Sequence, residues 1–108
     1  MMGIELLTTP EAFEQVVKEN DACLLLKHSL TCPISADAKE VYEKYRNETD
    51  LPMYMLYVQD HRDVSNHVAD YFDIKHESPQ FFYIKDGKVE FHTSHWEITI
   101  EKLQEVVK

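Results

Sequence analysis

The stretch Cys23-Leu24-Leu25-Leu26-Lys27-His28-Ser29-Leu30-Thr31-Cys32-Pro33-Ile34-Ser35 decides the architecture. Cys23 to Leu26 is a continuous apolar run without alternation, as expected of a strand buried on both faces of a parallel sheet. Pro33 has its φ preset for a first helical turn and lacks the amide hydrogen that such a turn leaves unused. Behind it Ile34, Ala38, Val41, Tyr42 and Tyr45 recur at i, i+4, i+7, i+8 and i+11, one face of a helix. A second apolar run, Met53 to Val58, follows. The centre of the chain therefore reads strand, helix, strand, with Cys32 at the turn from the first strand into the helix.

The flanks extend this alternation. Ile4 to Leu7 forms a short first strand. Thr9-Pro10 then supplies an N-cap and a first-turn proline for a helix with Phe13, Val16 and Val17 on one face, ending near Asn20-Asp21. Asp63 is expected to cap a third helix carrying Val64, His67, Val68, Tyr71 and Phe72, with His67 as a packed histidine. Phe81 to Ile84 and the alternating Val89 and Phe91 flank Asp86-Gly87, a pair suited to a two-residue hairpin turn. A last helix from about Thr99 turns Ile100, Leu103, Val106 and Val107 inward. The order is β-α-β-α-β-α-β-β-α. This is an α/β fold with a mixed central sheet flanked by helices, and residues 1–108 form a single domain without repeats or linkers.

Composition narrows the function. The 108 residues carry 20 acidic and 11 basic side chains, a formal net charge of −9, which opposes approach to nucleic acid and to anionic membranes. No apolar run approaches the roughly 20 residues of a membrane span, and the start lacks a basic segment followed by an apolar one. A cytoplasmic location is expected, with the chain acting as a monomer. That compartment disfavours a structural disulfide between Cys23 and Cys32. The histidines at 61, 67, 76, 92 and 95 match no zinc-finger spacing, so no metal is expected. Gly3 and Gly87 are the only glycines and form no phosphate loop. Glu40, Glu43, Glu48 and Asp50 read as a solvated face.

Cys32 is the candidate nucleophile. Free amides and the positive dipole end at a helix N-terminus favour a thiolate, and cysteines so placed have pKa values of roughly 3.5 to 7.5 against about 8.5 for a free thiol. Thr31, Pro33, Ser35 and Lys27 are the expected thiolate-stabilising residues: Ser35 by donating its hydroxyl to the sulfur, Lys27 as a nearby cation. Cys23 opens the strand that leads to Cys32. At about 3.3 Å per residue it lies roughly 15 Å or more away, beyond the ~7 Å that a disulfide allows between Cα atoms. It is read as core.

Element order, a cysteine after the second strand and Ser78-Pro79 before a strand-hairpin-strand resemble the thioredoxin fold, in which that proline is cis and flanks the cysteine. More narrowly, Thr31-Cys32-Pro33-Ile34-Ser35 with Lys27-His28 resembles the monothiol bacilliredoxins, thioredoxin-like proteins of bacteria that use bacillithiol. The resemblance implies a thiol-disulfide oxidoreductase that removes bacillithiol from protein mixed disulfides. Cys32 attacks and is itself bacillithiolated; bacillithiol is a co-substrate, no cofactor is needed, and protein clients are the partners. Ser35 stands where dithiol thioredoxins have a second cysteine, and Leu26 where they bury a carboxylate. Phe91 to His95 lacks the Gly-Gly kink of glutaredoxins. Counting seven residues out from Pro79 and seven back across the hairpin puts Ser94 beside Pro79, so Ser78, Pro79, Ser94 and His95 are the expected substrate-binding residues. Two other readings use the same residues: a peptide-binding module in which Cys32 is idle, and a sensor or sulfur carrier cycling through sulfenate or persulfide.

Overall fold

The computed structural model describes residues 3–31 and 33–107. Strands β1 (Ile4–Leu6), β2 (Ala22–His28), β3 (Met53–Tyr57), β4 (Gln80–Lys85) and β5 (Lys88–Ser94) form one sheet in the order β1-β3-β2-β4-β5. β1 and β2 both run parallel to β3, while β4 is antiparallel to β2 and to β5. Helices α1 (Pro10–Glu19) and α3 (Arg62–Phe72) cover one face, α2 (Pro33–Tyr45) and α4 (Ile100–Val106) the other. The α/β class and mixed sheet expected from the sequence are therefore observed. No described helix is long and apolar enough to cross a membrane.

The absence of alternation in the second strand has the expected cause. Leu24 and Leu26 pack beneath α2 and α4 with Tyr42, Phe81 and Leu103, whereas Cys23 and Leu25 pack beneath α1 and α3 with Phe13, Val64, Val68 and Phe82. β2 runs past the apolar run to His28, since Lys27 pairs with both Leu56 and Gln80 and is itself fully buried. Thr9 caps α1 as its sequence suggests, its Oγ1 accepting the Ala12 amide at 3.0 Å. Asp63 does not cap α3. The cap is His61, two residues earlier, whose carbonyl accepts the Ser65 amide at 3.1 Å; Asp63 instead places its charge in the first turn, where the helix dipole favours it. Val107 is the C-cap of α4 and not part of the helix.

The hairpin carries the correction with most consequence. Asp86 and Gly87 both have positive φ, 53° and 77°, as a two-residue type I′ turn requires. The ladder begins as counted, Lys85 with Lys88 and Ile84 with Val89, but Tyr83 pairs with Phe91, so Glu90 is an extra residue in β5. This β-bulge turns Val89 onto the α1/α3 face and Phe91 onto the α2/α4 face, although residues two apart share a face in a regular strand. Everything beyond it is displaced by one: Ser94 pairs with Gln80, and it is His95 whose amide donates to the Pro79 carbonyl, at 3.1 Å.

Tyr42 ties α2 to the sheet. Fully buried, its hydroxyl donates to the Tyr54 carbonyl at 2.7 Å and accepts the Tyr54 amide at 3.2 Å. Tyr42→Phe leaves two backbone groups without that partner and is expected to lower stability by about 1–3 kcal/mol. Urea denaturation checks this; a loss below about 0.5 kcal/mol, the scatter of an ordinary surface substitution, contradicts it.

Candidate active site

Cys32, the expected nucleophile, lies outside the described residues; its two chain neighbours and the groups that hold them are described. The segment joining β2 to α2 is clamped from two sides. Gln59, just after β3, accepts the Leu30 amide on Oε1 at 2.9 Å, and its Nε2 donates to Ser29 Oγ at 2.8 Å and to Thr31 Oγ1 at 3.2 Å. From the α2 side Ser35, fully buried, accepts the Ser29 amide on Oγ at 3.2 Å. Among the described residues no acceptor takes the Ser35 hydroxyl proton. Sequence reasoning missed Gln59, because a glutamine at the end of an apolar run has no pattern until parallel β2–β3 pairing sets it beside residues 29–31.

The strand leading into this segment ends in two buried titratable side chains that point to opposite faces. Lys27 is fully buried in the α3 layer, donating Nζ to the Ser65 carbonyl at 3.0 Å and sharing 3.2 Å with His76 Nδ1, with its charge 5.8 Å from the centre of the Phe82 ring. Lys27, expected beside the thiolate, is thus committed to α3, on the face opposite α2. Burial pushes its pKa down to about 8. His28 turns toward α2 and meets Tyr57 edge-on at 5.5 Å, with Nδ1 buried and without a hydrogen-bond partner among the described residues. Burial, and then the positive charge of Lys39, hold its pKa below the ordinary histidine range.

The opposite wall of the site is the segment before β4 and the end of β5. The Ser78–Pro79 peptide is cis. Ser94 Oγ donates to Glu77 Oε2 at 3.1 Å and lies 3.1 Å from His95 Nδ1. His95 opens a 3-10 turn, His95–Glu97, that packs on α2 and is held by Thr93 Oγ1 donating to Glu97 Oε1 at 2.8 Å. The structure therefore brings Thr31, Pro33 and Ser35 to one wall, and Pro79, Ser94 and His95 to the other, at the same end of the sheet. Apolar side chains flank both walls: Leu30 is 52% exposed and Trp96 70%. Cys23 is remote from all of them in its contacts, buried among α1 and α3 residues, and burial pushes its thiol up to about 12. Among the described residues no group of three histidine, cysteine or carboxylate side chains could hold a metal ion.

A parallel β-α-β core, an antiparallel hairpin reached through a cis proline, and a cysteine in the chain immediately before the helix that follows the central strand define the thioredoxin class. A solved structure of a proposed oxidoreductase with a thioredoxin fold shares 39% identity, covering 97% of this chain and 94% of that one with a TM-score of 0.91. The thioredoxins of Malassezia sympodialis (16% identity, 97% and 88% covered, TM-score 0.77) and Fasciola hepatica (19%, 96% and 96%, 0.74) share the fold. Residues 5–103 match the family described as monothiol bacilliredoxin BrxC, and the chain belongs to that family. It is a thiol oxidoreductase, and membership implies a low-molecular-weight thiol and protein substrates.

Lys27 makes stability depend on pH. Its folded pKa of about 8 lies below its ordinary 10.5, so between these values the unfolded chain binds a proton that the native one does not. Stability contributed by this group therefore rises with pH across that window, by roughly 3 kcal/mol in all, and below it the full cost of burying the ammonium stands. Lys27→Met is expected to remove the rise and to be more stable than the wild type at pH 7. Parallel urea titrations of both proteins at pH 7 and pH 9.5 check this; equal pH dependence contradicts it.

Proposed function

We propose that the chain removes bacillithiol from S-bacillithiolated proteins by a monothiol route through Cys32. The observation that carries this reading is the burial of the chain's other thiol. Cys23 is 1% exposed within β2, and Ser35 stands one helical turn beyond Cys32 where a dithiol protein would keep its resolving cysteine. With no internal thiol to complete the exchange, the mixed disulfide formed on Cys32 has to be opened by a thiol from outside.

The chemistry follows. The start of α2 and the free hydroxyl proton of Ser35 favour the Cys32 thiolate, while Gln59 fixes Thr31 and the residues before it. The thiolate attacks the bacillithiol sulfur of the client disulfide. The client sulfur leaves as thiol, and bacillithiol is left on Cys32 until a second low-molecular-weight thiol takes it. Ser78 offers its backbone groups to an extended client segment beside Pro79, Ser94 and His95, and the exposed Leu30 and Trp96 supply apolar contact at the rim. No cofactor is required. The reduced thiols this cycle needs are those of a bacterial cytoplasm, where the chain would act as a monomer.

Cys32→Ser is expected to abolish release of bacillithiol from a modified client protein, and Cys23→Ser, whose contacts lie in the α1/α3 core away from the site, to leave it within about twofold in the folded protein. Iodoacetamide alkylation against pH is expected to show a midpoint well below the ~8.5 of a free thiol. Slow modification with an ordinary midpoint, or retained release by Cys32→Ser, contradicts the proposal.

A further inference from the structure

The wall beside Pro79 holds a chain of hydrogen bonds that simple thiolate attack leaves unused. Ser94 Oγ donates to Glu77 Oε2 at 3.1 Å, which commits its one hydroxyl proton to the carboxylate. In the 3.1 Å contact between Ser94 Oγ and His95 Nδ1 the ring must therefore be the donor. Glu77 Oε1 stands 4.0 Å from the same nitrogen. Nδ1 thus carries hydrogen whether the ring is neutral or charged, and Nε2 is the nitrogen whose proton comes and goes. The backbone fixes the ring's place: the His95 amide is bonded to the Pro79 carbonyl, and φ is 55°, a left-handed conformation that costs a non-glycine residue on the order of 1–3 kcal/mol. The side chain keeps 44% of its surface open to a substrate.

We propose that His95 is the proton carrier of the exchange reaction, with Ser94 and Glu77 as positioning residues; the proposal rests on the thiol-disulfide reading above. In the first half-reaction the Cys32 thiolate forms a bond to the low-molecular-weight sulfur, and the client S–S bond breaks. The client sulfur departs with the electron pair and takes the proton from His95 Nε2. In the second, an outside thiol gives its proton to Nε2 as its sulfur attacks the small thiol held on Cys32. That thiol leaves in a disulfide with the attacker, and Cys32 returns as thiolate. The client is reduced, the two small thiols are oxidised to their disulfide, and the proton lost from Nε2 in one step is regained in the other. The need is chemical: an aliphatic thiolate is a poor leaving group, and exchange slows as the pKa of the leaving thiol rises.

The test uses the full chain and two disulfides of bacillithiol, one with a cysteine peptide and one with thionitrobenzoate, an acidic aryl thiol that leaves without protonation. His95→Asn removes the imidazole, and asparagine tolerates the left-handed backbone. The variant is expected to lose about tenfold or more on the peptide substrate and to stay within about twofold on the aryl one. Ser94→Ala, which keeps the ring but frees Nδ1, is expected to show the same selective loss in smaller measure. Equal loss on both substrates, or no loss on either, in both variants overturns the proton carrier while leaving the exchange reaction intact. Failure of the wild-type chain to cleave either disulfide overturns the exchange reading itself, and the carrier with it.

Discussion

The position of β2 is the constraint on which the rest of this structure depends. It is the central strand, laddered to β3 on one side and β4 on the other, and its side chains are buried against helices on both faces. A strand held this way can end in only one place. Because Lys27 pairs with Gln80 and His28 with Tyr57, the segment that follows emerges beside Gln59 on one side and Pro79 on the other. Each wall of the candidate site is thus an extension of a ladder, and the segment before Cys32 is braced by side chains from two further elements, β3's end and α2.

Burial also takes one of the two thiols out of reach. Cys23 and Cys32 are close in sequence, yet Cys23 is a core residue whose thiolate burial disfavours strongly, while Thr31 and Pro33 on either side of Cys32 are exposed. Leu26 continues the same logic. It is fully buried, pairs with Met55 and packs under α2, so the place where dithiol thioredoxins bury a carboxylate is wholly apolar here. Among the described residues no carboxylate is buried and the Cys23 thiol is enclosed in the core, which is consistent with membership of a monothiol family.

Much of this was legible in the residues alone. The β-α-β core follows from the apolar run at 23–26 and the proline at 33, and the hairpin turn from Asp86-Gly87, because these depend on local backbone preferences and simple periods. What escaped depends on contacts between distant segments. The bulge at Glu90 exists because Val89 and Phe91 each find space on a different face of the sheet, which no count along β5 reveals. It moves His95 into the place assigned to Ser94. The burial of Lys27 was likewise invisible: alternation along β2 puts it on the face of Cys23 and Leu25, but only the folded chain shows Ser65 of α3 and His76 as the partners that make burying an ammonium possible. Gln59 needed the parallel register before its role could be seen.

The central claim is that exchange passes through one mixed disulfide on one cysteine. The most direct measurement is intact mass and peptide mapping of the wild-type chain after incubation with a bacillithiolated client protein under non-reducing conditions. A single bacillithiol adduct per chain, mapped to Cys32 and removed by a second small thiol, is the expected result. An adduct on Cys23, or a Cys23–Cys32 disulfide with no adduct, contradicts the account.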